Sequence, residues 1–409
     1  MTHATAVATT ESAPDSASWS AVLALSLCVA TLIASEFMPV SLLTPIASDL
    51  YLTEGQAGQA IAISGIFAVA TSLFVAAFTS KLDRRQLLLW LTALMLISGV
   101  VTAFAPNYAV LMAGRAFVGV VIGGFWSMSA ATVMRLVPAA DVPRGLAILN
   151  GGNALAATIA APLGSFLGQY IGWRGAFFSV VPLAAITFVW LLATLPSMPS
   201  RTRANPLAAF QVLRRPGVPI GMAAVALFFM GQFALFTYVR PFLETVTLVN
   251  VSGLSLLLLA MGVSGLLGTL LIGSVLRTRL YQGLIAMPVM MAALAIGLVV
   301  FGSSLGTTAG LLALWGLIGT AAPVGWWSWL SEALPDDAEA GGGLMVAVVQ
   351  LAITAGAASG GLLFDNGGYQ IAFGFGAIVL FTCAIAAVVL ARHDRSRTAT
   401  PTSSRKHLS

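Results

Sequence analysis

The sequence predicts an all-α membrane protein with 12 transmembrane helices. Of its 409 residues, 58% are hydrophobic and only 8% are charged, whereas a soluble domain carries about 25% charged residues. The apolar runs are continuous, and about 20 consecutive apolar residues cross a bilayer core as a helix. A membrane β-barrel would instead alternate apolar and polar residues. Composition and pattern therefore exclude a soluble protein and a barrel.

Polar breaks separate the apolar runs and define the predicted spans. The spans are residues 20–43, 55–79, 87–104, 108–133, 144–168, 176–195, 218–242, 251–275, 283–301, 307–330, 342–363 and 371–391. The predicted segments are a disordered N-terminal tail at 1–18, six-helix bundles at 19–195 and 218–391, a cytoplasmic linker at 196–217 and a C-terminal tail at 392–409. An even number of spans puts both chain ends on one side of the membrane.

The distribution of basic residues predicts which side that is. Lys and Arg concentrate in the cytoplasmic loops of membrane proteins, and acidic residues have little influence. With the N-terminus in the cytoplasm, 16 of the 19 basic residues fall in inner loops or in the C-terminal tail. The acidic inner loop at 331–340 does not alter this count. Both termini are therefore expected to be cytoplasmic.

The two halves of the chain repeat one another. Matching segments are Glu36–Pro39 with Tyr238–Pro241 at an offset of 202, Gly124–Ser127 with Gly325–Ser328 at 201, and Asn153 with Gln350 at 197. A parallel repeat of six spans, with binding sites at the repeat interface, describes the major facilitator arrangement. The sequence thus predicts two six-helix halves related by a pseudo-twofold axis.

Two charged residues lie within predicted spans at similar depth. Glu36 and Arg115 are each about seven residues from the outer end of their span, or roughly 10 Å deep at 1.5 Å per residue. An ionisable residue inside a membrane marks a functional site by default. We expect the two to pair across a substrate cavity and to couple transport to protons. The alternative is a purely structural ion pair.

Aromatic and amide residues recur near the middle of the spans. Those predicted to bind substrate are Trp126, Asn153, Gln232, Tyr238, Trp327 and Gln350. Neutral polar groups are costly in hydrocarbon unless they are hydrogen-bonded, so these side chains should face a cavity or each other. A cavity with aromatic faces and amides suits a neutral planar ligand. For each residue alone, a contact between helices is the alternative.

A short charged motif follows the second span. Asp83, Arg84 and Arg85 resemble the loop between spans two and three of major facilitators, which has a glycine before Asp-Arg. Thr79 stands at the position of that glycine. The functional interpretation is a cytoplasmic latch that opens when the transporter changes conformation. The alternative is a cluster of inner-loop charges.

Several functions are excluded by what the sequence lacks. It has no nucleotide-binding P-loop, so ATP is not expected to power transport directly, and no cofactor is expected. The three histidines, His3, His393 and His407, lie in the tails, so no metal site is predicted within the membrane. Gly302–Gly306 matches a Gly-x-Ser-x-Gly elbow, but no span contains a histidine, and an enzyme is not predicted. The basic residues are scattered between spans, which argues against nucleic-acid binding.

The chain resembles the purine ribonucleoside efflux pumps, in the drug:proton antiporter branch of the major facilitator superfamily. The most specific matching segments are Glu36-Phe-Met-Pro-Val-Ser-Leu-Leu-Thr-Pro45 and Gly123-Gly-Phe-Trp-Ser-Met-Ser-Ala130. The resemblance implies proton-coupled export of purine ribonucleosides, such as inosine and guanosine, across a bacterial inner membrane. We expect a monomer in the lipid bilayer. The alternatives are a sugar or multidrug exporter of the same superfamily and a non-transporting membrane sensor.

Overall fold

The structure is a computed structural model that describes residues 17–78, 82–199, 211–335 and 338–398. Most of the predicted tails and part of the predicted linker lie outside these residues. All regular structure in the described residues is helical, which confirms the predicted all-α class.

The described residues contain the following α-helices. They are α1 (Trp19–Asp49), α2 (Glu54–Phe78), α3 (Arg84–Ala103), α4 (Tyr108–Leu136), α5 (Val142–Phe178), α6 (Val180–Thr194), α7 (Val218–Phe236), α8 (Val239–Thr245), α9 (Val251–Phe301), α10 (Leu305–Ala333) and α11 (Ala338–Thr398). Asparagine is the N-cap residue of α4 and α9. The side chain of Asn107 accepts a hydrogen bond from the N–H of Val110, and that of Asn250 accepts one from the N–H of Gly253. Such caps satisfy backbone donors that have no partner at the start of a helix.

Nine segments of the described chain are long and apolar enough to cross a membrane, compared with the 12 predicted spans. Three of the nine are between 51 and 56 residues long, whereas about 20 residues suffice for one crossing. Each long segment contains one residue with non-helical backbone angles, at Gly172, Arg279 and Gly368. All three residues lie in gaps between predicted spans.

Two of these breaks require glycine. Gly172 has a φ of 70° and Gly368 a φ of 71°, in a region that side chains with a Cβ rarely adopt. The first break is tied down by its neighbours, because the indole of Trp173 donates to Asp49 and Arg174 forms an ion pair with the same carboxylate. The sequence motif Gly-Trp-Arg therefore fixes a turn against the end of α1.

Residues 19–195 and 218–391 are called here the N-terminal and C-terminal halves. Within the first, α1 packs on α5, and α2 packs on α4. Within the second, α7 packs on α11, and α9 packs on α10. The halves meet where α2 contacts α11 and where α5 contacts α9.

Glycines allow both contacts between the halves. A Cβ on Gly65 of α2 would overlap the hydroxyl of Thr354 on α11, and a Cβ on Gly262 of α9 would overlap the carbonyl oxygen of Thr158 on α5. Small residues of this kind let membrane helices approach closely. The space between the two contacts is where the candidate site lies.

Candidate functional site

A cavity of about 350 Å³ lies between the halves. Its lining includes the carboxylate residue Glu36, five of the six predicted substrate-binding residues, and several aromatic residues that were not predicted. The five predicted residues are Trp126, Asn153, Gln232, Trp327 and Gln350, and further lining residues include Phe37, Phe229, Phe233, Phe236, Trp315 and Thr320. The wall is therefore aromatic and amide-rich with one acidic group among its described residues.

The unpredicted phenylalanines form one wall of the cavity. Phe229, Phe233 and Phe236 follow the spacing of one face of α7, and Phe37 of α1 packs against the last two. The ring centroids of Phe37 and Phe233 are 6.0 Å apart, and those of Phe37 and Phe236 are 6.3 Å apart. The period of the phenylalanines in the sequence could have identified this face.

Tyr238 is the predicted substrate-binding residue that the structure places elsewhere. Its side chain is fully buried, its hydroxyl donates to the carbonyl oxygen of Ala357 at 2.8 Å, and its ring stacks on Phe364. The helix is interrupted between α7 and α8 at Thr237 and Tyr238, which directs the ring toward α11 and away from the cavity. The repeat alignment with Glu36 therefore did not predict where this side chain points.

Glu36 lies at the boundary between the two halves. Its side chain is buried, with only 5% of the residue exposed. Its Oε1 accepts a hydrogen bond of 3.3 Å from the Nε2 of Gln350. The bond joins α1 of the N-terminal half to α11 of the C-terminal half, so the carboxylate is held by both halves at once.

Arg115 contacts Glu36 through the backbone and is not among the residues that line the cavity, so the described residues do not show the predicted side-chain pair across it. The guanidinium is buried and donates to the carbonyl oxygens of Ser35 at 2.7 Å, Glu36 at 3.3 Å and Ala60 at 3.1 Å. Its charge thus lies beside the carboxylate without a direct side-chain hydrogen bond to it. The arrangement joins α4 to α1 and α2.

Prolines explain why these carbonyl oxygens need donors. A proline has no N–H and leaves the carbonyl four residues earlier without its helical partner. Pro39 therefore frees the carbonyl of Ser35, which Arg115 satisfies. The carbonyl freed by Pro45, on Ser41, accepts from Arg240 of the opposite half.

A proline also frees a backbone carbonyl on the other side of the cavity. Pro323 in α10 frees the carbonyl of Gly319, and the Nε2 of Gln232 donates to that oxygen at 3.5 Å. A freed carbonyl inside a membrane is tolerated where a neighbouring helix supplies a donor. Three polar side chains are thus positioned by backbone groups that prolines expose.

The family model described as Major Facilitator Superfamily matches residues 24–352. This chain belongs to the major facilitator superfamily. The fold agrees with solved structures of other transporters, although the sequences differ widely. The human organic anion transporter MFSD10 gives a TM-score of 0.67 at 16% identity, covering 90% of this chain and 98% of the other. An inward-facing, unoccupied bacterial homologue of the lysosomal transporter Spinster gives 0.70 at 15% identity, covering 93% and 97%.

Two kinds of curated relative are much closer in sequence. The transcription regulatory protein OpdE of Pseudomonas aeruginosa is 58% identical over 386 residues, which span 93% of this chain and 96% of the relative. The purine ribonucleoside efflux pump NepI of Salmonella typhimurium is 41% identical over 373 residues, which span 91% and 94%. The second match confirms the resemblance to purine ribonucleoside efflux pumps.

The charged motif Asp83-Arg84-Arg85 forms contacts within the N-terminal half. The carboxylate of Asp83 begins α3 by accepting from the N–H of Arg85 at 2.8 Å, and it also accepts from the N–H of Met198 and the hydroxyl of Ser197. The guanidinium of Arg85 donates to the carbonyl of Leu192 at 2.9 Å. These contacts join the start of α3 to the end of α6. The proposed latch role, in which they would open during transport, stays a prediction.

The environment of Asp83 favours its charged form. Partial burial raises the pKa of Asp83, but the hydrogen bonds from Ser197, Met198 and Arg85 together lower it more, so it lies below its usual range. A carboxyl group whose pKa is lowered by folding adds stability above the pKa of the unfolded chain and loses it as the pH falls. The contacts of Asp83 therefore contribute more stability at neutral pH than at acidic pH.

Proposed function

We propose that this major facilitator is a proton-coupled exporter of purine ribonucleosides. The observation that carries the proposal is the cavity, which combines one buried carboxylate with aromatic rings and amides. Aromatic rings stack on the faces of bases, and amides can hydrogen-bond their edges. The 41% identity to a purine ribonucleoside efflux pump over 91% of this chain supports the same substrate class.

The proposed topology has 12 spans in two six-helix halves, with both termini in the cytoplasm. The three long segments, each with a non-helical residue between two predicted spans, support the count. The distribution of 16 of the 19 basic residues supports the orientation. We place the protein in a bacterial inner membrane, as a monomer that needs no cofactor.

The name of the Pseudomonas relative describes a role in transcription. This role is stated only for the relative. The described residues of this chain form apolar helices around a cavity between two halves. This architecture supports transport as the primary activity. A regulatory effect would then be secondary to the movement of a small molecule.

In the proposed cycle, a proton on Glu36 and the nucleoside compete. With the cavity open to the cytoplasm, the charged carboxylate and the amides favour nucleoside binding. With the cavity open to the outside, a proton binds Glu36 and weakens the hold on the nucleoside, which leaves. Such mutual weakening of two ligands is the linkage that antiport requires.

The function is tested with the purified protein in vesicles. An imposed pH gradient, acidic inside the vesicles that contain inversely oriented protein, is expected to drive accumulation of labelled inosine. A protonophore should abolish the accumulation. Accumulation of a sugar or a drug in place of inosine would favour the other exporters of the superfamily, and absence of any proton-dependent flux would contradict the proposal.

Trp126→Ala is expected to weaken inosine transport by lowering affinity. Stacking of a base on an aromatic side chain contributes about 1–3 kcal/mol, which corresponds to roughly 5- to 150-fold in affinity. Trp90→Ala is the matched control, because Trp90 is 73% exposed on α3 and does not line the cavity. Equal affinities for the two variants would show that the base does not stack on Trp126.

The topology is tested by single cysteines. Cys28 and Cys383 are both buried, so little background labelling is expected. Leu305→Cys should react with an impermeant thiol reagent in intact cells, whereas Asn205→Cys should react only after the membrane is opened. Labelling of the second variant from outside would reverse the proposed orientation.

A further inference from the structure

Three buried polar atoms on residues of the cavity wall have no hydrogen-bond partner. They are the Oε1 atoms of Gln232 and Gln350, which accept, and the Nε1 of Trp315, which donates. An unpaired buried polar group destabilises the protein until a partner arrives. A ligand that satisfies all three must offer two donors and one acceptor.

A 6-oxopurine edge has matching groups. Its O6 accepts, its lactam N1–H donates, and guanine adds a second donor at its amino group. These match the three unpaired atoms in number and type. The cavity is therefore suited to the lactam edge of guanosine and, with one donor fewer, of inosine.

The orientation of the Gln350 amide is set by Glu36. An amide has one donor end and one acceptor end, and an ionised carboxylate only accepts. The N–H₂ end must therefore face the carboxylate, as it does at 3.3 Å. The Oε1 of Gln350 is left as an unpaired acceptor with almost no solvent-accessible surface, so a donor on the ligand reaches it once the side chains that cover it move.

Protonation of Glu36 on Oε1, the oxygen that faces Gln350, reverses this requirement. The carboxyl group keeps its other oxygen as an acceptor, but Oε1 now carries an O–H that donates, and the amide accepts it by turning over about its last side-chain bond. That torsion is broad and roughly two-fold, so the turn meets little resistance. The N–H₂ end then faces the ligand, where the acceptor stood before.

We propose that Gln350 reports the protonation state of Glu36 to the bound base and selects nucleosides with a lactam N–H. This inference rests on the proposed function and specifies how its site responds to a proton. A lactam N–H cannot turn into an acceptor, so it loses its partner when the amide turns over. The neighbouring O6 is matched to the Nε1–H of Trp315 in this arrangement, so the edge does not shift to offer that acceptor to the amide instead.

The surroundings of Glu36 leave few other groups to respond to pH. Among the described residues that line the cavity, Glu36 is the only one with a titratable side chain. From α4 it is faced by Arg115, whose guanidinium bonds to the backbone, and from α11 by Gln350. The elements α5, α7, α9 and α10 contribute neutral side chains to the lining.

The test measures inosine binding to the purified full-length protein at acidic and at alkaline pH. For the unmodified protein, affinity should fall about tenfold for each pH unit once Glu36 is protonated, because proton and ligand exclude one another. Gln350→Met keeps the length of the side chain without the amide, and it should bind inosine more weakly with most of the pH dependence lost. Gln232→Met is the matched control, since it also removes an amide of the wall, and it should weaken binding while the pH dependence remains.

Modified ligands give a second test that needs no variant. On the unmodified protein, 1-methylinosine lacks the N1–H and should bind weakly at every pH. A 1-methylinosine affinity that equals that of inosine and follows the same pH dependence would overturn the inference, as would full pH dependence in Gln350→Met. In either case, continued proton-driven inosine flux would leave the proposed function intact, whereas loss of both flux and binding in the unmodified protein would overturn both.

Discussion

Glu36→Gln is expected to abolish the proton-driven accumulation of inosine in vesicles while exchange of inosine for inosine continues. The carboxylate is buried at the boundary of the halves and is hydrogen-bonded to Gln350. Glutamine has nearly the same shape but binds no proton in the working pH range, so the substrate can still cross while its movement is no longer linked to protons. Binding of inosine to the variant should also show little dependence on pH.

The matched control for this prediction is Glu332→Gln. Glu332 is exposed near the end of α10 and does not line the cavity, so the same chemical change there should leave accumulation unaltered. The measurement is uptake of labelled inosine with and without an imposed pH gradient. Normal proton-coupled accumulation by Glu36→Gln would remove this residue from the coupling mechanism.

Gly58→Ala is expected to reduce transport by at least about tenfold by preventing the halves from closing against each other. A Cβ on Gly58 of α2 would overlap the hydroxyl of Tyr238 and lie 2.7 Å from its ring carbon. That tyrosine is fully buried and bonded to Ala357, so it has little room to move, and overpacking of a tight contact typically costs about 1–3 kcal/mol. The variant should populate the conformation in which α2 and α11 are apart.

Gly151→Ala is the control for Gly58→Ala, because a Cβ at that helical position meets nothing within 4 Å. It should transport normally. A cysteine introduced on the cavity wall reports the conformation, and its labelling from outside intact cells should increase in Gly58→Ala. Normal transport with unchanged labelling would mean that the contact at Tyr238 adjusts and does not limit closure.

Much of the site could be predicted from residue type and depth. Glu36 and Arg115 were identified because charges are rare within apolar spans, and the amides and tryptophans because polar groups in hydrocarbon need partners. The structure brings five of the six predicted substrate-binding residues onto one cavity wall. Composition and hydropathy also fixed the helical class.

Side-chain direction was harder to predict than residue position. The sequence repeat assigned Tyr238 the place of Glu36 in the second half, but the break between α7 and α8 turns its ring to another helix. The bonds of Arg115 to backbone carbonyls depend on which neighbouring helix packs beside Pro39. Both outcomes are set by packing between segments distant in sequence, which hydropathy does not encode.

The single titratable group among the described residues of the cavity wall has an electrical consequence. One carboxylate binds one proton, and inosine and guanosine are neutral at physiological pH. Each cycle of the proposed exchange therefore moves one positive charge into the cell and returns none. The membrane potential then contributes about 2.3 kcal/mol per 100 mV, in addition to about 1.4 kcal/mol for each unit of pH difference. The proposed exchange is therefore expected to be electrogenic and to continue at equal internal and external pH for as long as the membrane remains polarised.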